Sequence, residues 1–245
     1  MRPARPAACL AFAAVLTLGV GAAMAQPEAR FETNMGNFTI LLEPDAAPAT
    51  VANFIRYTKE GHFNGTVFYR VVPDFVIQAG SFGADGKWRA LHKPIALETS
   101  LSNTRGTIAM AREEKPVSAL AEFFINLSDA NAKALDAKQG AAPNTTGYAV
   151  FGHVTSGMEV VDAIAASPIG GGVGPFPENY PQKPIIIRKV TIGVAPPAPP
   201  VAAPAAPAAP APEAPAASPD TGATLPPPPA APPTQTGKPP QQSQP

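Results

Sequence analysis

Proline divides this chain before any helix or strand is sought. Of 33 prolines, 19 fall in residues 195–245, and the other 14 are spread over the first 194 residues. The terminal stretch reads APPAPPVAAPAAPAAPAPEAPAASPD and then TGATLPPPPAAPPTQTGKPPQQSQP. It holds no aromatic residue, and its only charges are Glu213, Asp220 and Lys238. Without large apolar groups to bury, such a segment has nothing to offset the entropy of ordering its backbone. Proline biases it toward extended polyproline II, so 195–245 is expected to be a disordered, semi-rigid Pro/Ala-rich tail.

The other end is also set apart. Arg2 and Arg5 precede an apolar run over 7–23, and Ala23-Met24-Ala25 gives a small-x-small cleavage pattern before Gln26. This pattern predicts a secretory signal peptide over 1–25. The run is Ala-rich and short for a bilayer span, so no membrane attachment is expected after cleavage. The single cysteine, Cys9, lies inside this segment and far from its cleavage site. The mature chain then has no cysteine, which suits an oxidising compartment and excludes an intrachain disulfide or a multi-cysteine zinc site.

Charge narrows the partners. The chain carries 18 basic and 18 acidic residues, and losing Arg2 and Arg5 leaves a net of −2. A nucleic-acid binder that works by neutralising phosphates needs a basic surplus, so none is expected here.

Residues 26–194 are the size of one domain. Eight β-branched or aromatic segments, over 30–33, 37–42, 66–70, 75–79, 107–111, 123–126, 149–154 and 185–192, predict strands. Met35-Gly36-Asn37 is a plausible hairpin turn between the first two. Over 49–60, Val51, Phe54 and Ile55 recur at helical spacing, with Pro48 in the first turn and Gly61 as a stop. Over 158–166, Val160, Val161 and Ile164 repeat that spacing. The expectation is a mainly β fold: a closed eight-stranded antiparallel barrel with two capping α-helices, which hides its strand edges. Polar, glycine-rich loops are expected over 80–94, 113–121, 137–147 and 170–184.

A survey for reactive groups returns little. His62, His92 and His153 lack metal-ligand spacing and are expected to be surface or loop histidines, so no metal and no cofactor is expected. No serine sits in a Gly-x-Ser-x-Gly turn. Glu113-Glu114 is a carboxylate pair in sequence only, and Gly170-Gly171-Gly172 lacks the lysine and helix of a phosphate loop. Asn37, Asn64, Asn126 and Asn144 each begin an Asn-x-Ser/Thr triplet, a pattern common by chance. What remains is the run Phe68-Tyr69-Arg70-Val71-Val72-Pro73-Asp74-Phe75-Val76-Ile77-Gln78-Ala79-Gly80. Its Arg70 and Gln78 stand among apolar neighbours, and an arginine so placed needs a hydrogen-bond partner.

That run resembles the cyclophilin signature Phe-x-Arg-x-x-Pro-x-Phe-x-x-Gln-x-Gly. Three further blocks resemble the family in order: Arg105–Ala111, then Glu122-Phe123-Phe124-Ile125-Asn126, then Gly147–Val154 before Gly157-Met158. The resemblance covers 29–193, and Tyr148 with the shortened loops is similar to the exported cyclophilins of bacteria. It implies an eight-stranded barrel with two helices, a peptidyl-prolyl cis–trans isomerase, location in a bacterial periplasm, a monomer, and Xaa-Pro segments of unfolded or partly folded proteins as partners.

Site residues follow from the same resemblance. Arg70 is the donor to the prolyl nitrogen, Gln78 orients it, and Phe75 and Phe124 complete the catalytic set. Phe75, Val76, Phe124 and Leu135 line the proline pocket, with Val76 where methionine is usual. Ala111, at the end of the strand before the active-site loop, is among the substrate-binding residues, the backbone of Arg112 pairs with the residue before proline, and Tyr148 takes a position often held by histidine. Two departures stand out. Glu122 replaces the usual glutamine and puts a carboxylate near Arg70, where it is expected to hold the guanidinium or divert it. Ala134 replaces a tryptophan, which should weaken cyclosporin-type binding. A proline-peptide binding module or chaperone with reduced catalysis is therefore the alternative to an active isomerase.

Overall fold

A computed structural model describes residues 26–142 and 145–195. The leader, the tail beyond 195 and Asn144 lie outside the described residues. Nine strands form one antiparallel sheet: β1 (Pro27–Thr33), β2 (Gly36–Leu42), β3 (Thr66–Val67), β4 (Arg70–Val72), β5 (Val76–Ala79), β6 (Thr107–Met110), β7 (Phe123–Asn126), β8 (Val150–Ser156) and β9 (Ile186–Val194). Their order is β3-β9-β1-β2-β8-β6-β7-β5-β4.

Nine strands stand where eight were expected because 66–70 is not one strand. Thr66 and Val67 pair with β9, whereas Arg70–Val72 pairs with β5. The change of partner falls at Phe68-Tyr69, whose amides bond to the carbonyls of Ile185 and Gln78, respectively. The first hairpin turns at Asn34-Met35, with Thr33 opposite Gly36.

The two expected helices are present as α1 (Pro48–Lys59) and α3 (Met158–Ala165). Between them lies a short helix that sequence did not suggest, α2 (Asn131–Leu135). Helix α1 buries Val51, Phe54 and Tyr57 on one face. Its start has no local side-chain cap; Glu98 instead accepts from the amides of Ala49 and Thr50 at 3.1 and 2.9 Å. That carboxylate satisfies two of the donors a helix start leaves open and suits the positive end of its dipole. Gly61, at φ +72, follows the last turn in the left-handed conformation that ends helices.

Alternation along the strands produces two apolar layers. Val71, Ile77, Ile108, Met110, Phe123, Ile125 and Phe151 enter the main core with both long helices. Their alternates Val76, Ala109, Phe124 and Val150 face the other way and pack with Phe75, Ala111, Leu135 and Tyr148. A strand's period of two thus gives the same four strands one face in the main core and one in a second, smaller cluster.

Two of the Asn-x-Ser/Thr asparagines have other occupations. Asn126 is fully buried, and the Asn64 side-chain oxygen accepts from the Val190 amide at 3.1 Å. Asn37 is exposed on β2. Among the described residues, no helix is long and apolar enough to cross a membrane.

Candidate active site

Register builds the site. Arg70 on β4 lies directly opposite Gln78 on β5, and Gln78 lies opposite Phe124 on β7. Phe124 in turn lies opposite Ala109 on β6. Directly opposed residues share a face, so these side chains form one row across four strands. The row explains the spacing of the signature: a hairpin with three loop residues puts Arg70 and Gln78 side by side. Its turn, Val72–Phe75, has Pro73 second and Asp74 third at φ 59, and closes through a Phe75 amide to Val72 carbonyl bond of 3.1 Å.

Arg70 is buried, and its Nη1 donates to Gln78 Oε1 at 3.2 Å. The guanidinium carbon lies 6.0 Å from the Phe75 ring centre and 5.4 Å from that of Phe176. These faces help compensate the charge for lost water. Burial lowers the Arg70 pKa, but arginine starts so high that it keeps its proton in proteins.

The apolar residues named from the sequence come together. Phe75, Val76, Ala111, Phe124, Leu135 and Tyr148 form a single buried cluster, in which the Phe124 and Tyr148 rings meet edge to face at 5.5 Å. Leu135 arrives on α2, and its carbonyl accepts from the Tyr148 amide at 3.0 Å. Arg112 holds the neighbouring loops. Its Nε donates to the Gly147 carbonyl at 2.7 Å, its Nη1 to the carbonyls of Glu113 and Glu114, and its guanidinium lies 5.0 Å from the Tyr148 ring centre. Ala134 is exposed on α2 beside Leu135.

Glu122 has a different engagement from the one expected. It is 1% exposed; its Oε2 accepts from the Tyr69 hydroxyl at 2.8 Å and its Oε1 from the Ser81 amide at 2.5 Å. Tyr69 accepts in turn from Gln78 Nε2 at 2.7 Å. The carboxylate thus communicates with Arg70 through two intervening side chains. Burial pushes Glu122 up to about 7, opposed by the bonds from Tyr69 and Ser81. Gly80 makes room for it: a Cβ there would stand 2.6 Å from Glu122 Cα, at a backbone φ of +154.

Three supports have no counterpart in the sequence reading. Tyr69 is one. Phe176 is another, stacked on Tyr69 at 5.8 Å from within the 170–184 loop. The third is a buried amide cluster, in which Asn131 donates to the Phe75 carbonyl at 2.7 Å and to Asn126 at 2.8 Å, and Asn126 donates to Asn103 at 3.2 Å. It fixes the backbone that presents Phe75. Only the identity of three scattered asparagines could have signalled it.

The histidines stand apart. His92 meets Glu60 at 2.7 Å and His153 meets Glu43 at 3.2 Å, while His62 Nε2 lies 3.0 Å from Ser81 Oγ. Among the described residues searched, no group of three or more His, Cys, Asp or Glu could hold a metal ion.

The family model for cyclophilin type peptidyl-prolyl cis-trans isomerases matches residues 29–192. The chain belongs to the cyclophilin family. This cyclophilin is 42% identical to the peptidyl-prolyl cis-trans isomerase of Acinetobacter baylyi over 172 residues, covering 69% of this chain and 87% of that one. It is 44% identical over 162 residues to isomerase A of Dickeya dadantii, covering 65% and 81%. Against isomerase B of Escherichia coli it is 41% identical over 164 residues, covering 66% and 97%. In fold it resembles a cyclophilin-type isomerase of Cryptosporidium parvum crystallised in the presence of the dipeptide Ala-Pro. The TM-score is 0.54 at 23% identity, with 68% of this chain and 98% of that one covered. The activity is accordingly peptidyl-prolyl cis–trans isomerisation, EC class 5.2.1.8.

Proposed function

We propose that this cyclophilin accelerates rotation about Xaa-Pro bonds in exported proteins as they fold in a bacterial periplasm, with Arg70 as the catalytic donor. The supporting observation is the row Arg70–Gln78–Phe124, which sets a guanidinium against an apolar cluster able to receive a proline ring. The export reading rests on the leader pattern alone. In the same reading the sheet is an eight-stranded barrel, closed where the 66–72 segment passes from β9 to β5.

The chemistry needs no nucleophile. The barrier, about 18–20 kcal/mol, is amide resonance. As the C–N bond twists, the prolyl nitrogen becomes pyramidal and gains a lone pair. A fixed N–H aimed there stabilises the twisted state more than the planar one, and that difference is the catalysis. Arginine suits the task because its planar fork bonds Gln78 and substrate from one rigid group. Phe75, Val76, Phe124 and Leu135 hold the proline ring, the Arg112 backbone pairs with the preceding residue, and Tyr148 donates near the substrate carbonyl. The test is the isomerisation rate of an Ala-Pro peptide with the wild-type chain and with Arg70→Ala. A wild type no faster than that variant leaves only the binding-module reading.

The tail carries the substrate's own chemistry, since Ala-Pro bonds recur through it. A tethered segment competes at an effective concentration on the order of millimolar. The KM of residues 26–245 for an Ala-Pro peptide is therefore expected to exceed that of residues 26–194 by about twofold, on the same effective-concentration argument. Equal values rule out self-competition.

A further inference from the structure

Three hydrogen bonds behind Arg70 run in one direction. Arg70 donates to Gln78, Gln78 to Tyr69 and Tyr69 to Glu122, over 3.2, 2.7 and 2.8 Å. The chain ends on a carboxylate whose other oxygen receives the Ser81 amide. Amide and phenol side chains can be oriented either way, so nothing in Gln78 or Tyr69 fixes this sense. Its two ends fix it: the guanidinium only donates, and the carboxylate, as an anion, only accepts.

We propose that Glu122 is a positioning residue for the isomerase: as an anion it sets the sense of the chain through Tyr69 and Gln78 and so orients the Arg70 guanidinium toward the substrate. The proposal rests on Arg70 being the catalytic donor. The argument is one of hydrogen-bond polarity. Oε1 accepts from the Ser81 amide and Ser81 also bonds the carboxylate through its side chain, so the proton is assigned to Oε2, the oxygen that faces Tyr69. That proton is then donated to the Tyr69 oxygen. The Tyr69 hydroxyl turns toward Gln78 and demands an acceptor there. Gln78 flips to supply its oxygen, and its NH2 now faces the Arg70 N–H it formerly accepted. The hydrogen bond from the guanidinium to Gln78 is lost.

The groups around Glu122 leave it the one that titrates near neutrality. From α1 comes Tyr57, whose phenol is raised by burial. From the turn after α1 comes His62, which reaches Ser81 and is lowered to about 4 by burial and by Arg89. Tyr69, beside β4, is raised well above its ordinary value, and Arg70 keeps its charge. Gln78 and Ser81 do not titrate. Glu122 itself is pushed by burial to about 7.

The test is kcat/KM for an uncharged Ala-Pro peptide, measured by NMR exchange on the full chain from pH 5.5 to 8.5. Wild type is expected to rise with pH by about tenfold around pH 7, the worth of one hydrogen bond to a charged group, with the change in kcat rather than KM. Glu122→Gln offers one acceptor; the Ser81 amide takes it, and the amide NH2 donates to Tyr69. This variant mimics the protonated state, so its profile is expected to be flat at the acid level of wild type. Tyr69→Phe cuts the chain and is also expected to be flat. On the wild-type protein alone, the Glu122 carboxyl carbon and the Arg70 side-chain nitrogen resonances are expected to titrate with one shared midpoint, a result independent of whether either variant folds. A flat wild-type profile, a pH step retained in Glu122→Gln, or an Arg70 signal indifferent to the Glu122 midpoint overturns the proposal. A wild type equal to Arg70→Ala at every pH instead overturns the reading of Arg70 on which it stands.

Discussion

Replacing Arg70 with alanine is expected to lower kcat/KM for an Ala-Pro peptide by about 10²–10³-fold, the usual cost of removing one preorganised donor to developing charge. The loss should appear in kcat, because in the proposed mechanism the donor acts on the twisted state. KM should move little, because Phe75, Val76, Phe124 and Leu135 still form the apolar cluster. Arg70→Lys separates charge from geometry. Lysine keeps the cation but has no planar fork to bond Gln78 and substrate together, so it is expected to recover less than about a tenth of the activity on that geometric ground. Stopped-flow isomerisation of the peptide, with far-UV circular dichroism to verify the fold, checks both. Wild-type rates from the lysine variant would mean that a diffuse positive field, not an aimed N–H, carries the reaction.

Glu122 also makes stability depend on pH in a direction unusual for a carboxylate. Its folded pKa, about 7, lies above its ordinary value of 4.5. The group therefore favours the folded state fully below pH 4.5, and this contribution is lost as pH rises through 7. The shift corresponds to about 3 kcal/mol by proton linkage. Glu122→Gln does not titrate, so between pH 4.5 and pH 8 its stability should gain on wild type by that amount. The difference in Tm should move in the variant's favour by about 6–12 °C for a domain of this size. Differential scanning calorimetry at the two pH values measures it; an unchanged difference would mean the carboxylate is better solvated than its burial indicates. His62 acts in the opposite sense. Its folded pKa is lowered to about 4, so its contribution is present above pH 6.5 and is lost as pH falls toward 4. The two slopes oppose each other in wild type between pH 4.5 and 6.5, and the glutamine variant should expose that of His62.

Most of the strands were legible because period-two alternation and β-branched composition report directly on a half-buried sheet. What stayed hidden depended on partners. The 66–70 segment looks continuous in sequence, and only pairing shows that Thr66 faces Ile187 while Arg70 faces Gln78. Helix α2 has five residues and no amphipathic repeat, and it is positioned by Asn131 and Leu135 being buried against the site. The signature residues were legible because a hairpin brings near sequence neighbours together. The engagement of Glu122 was not, because Tyr69 and Ser81 lie 53 and 41 residues away from it. Phe176 was hidden for the same reason, inside a loop whose glycines and prolines mask one aromatic anchor.

The placement of the last strand has a consequence for biosynthesis. Strand β9 pairs with β1, the first to emerge from the ribosome, and with β3, two residues before the arginine strand. The Phe68 amide at that junction also bonds to Ile185, just upstream of β9. The segment that leads into the arginine strand therefore gains this second anchor only when nearly the whole domain has been synthesised. A chain lacking β9 leaves that junction unanchored, so the site is completed late in synthesis.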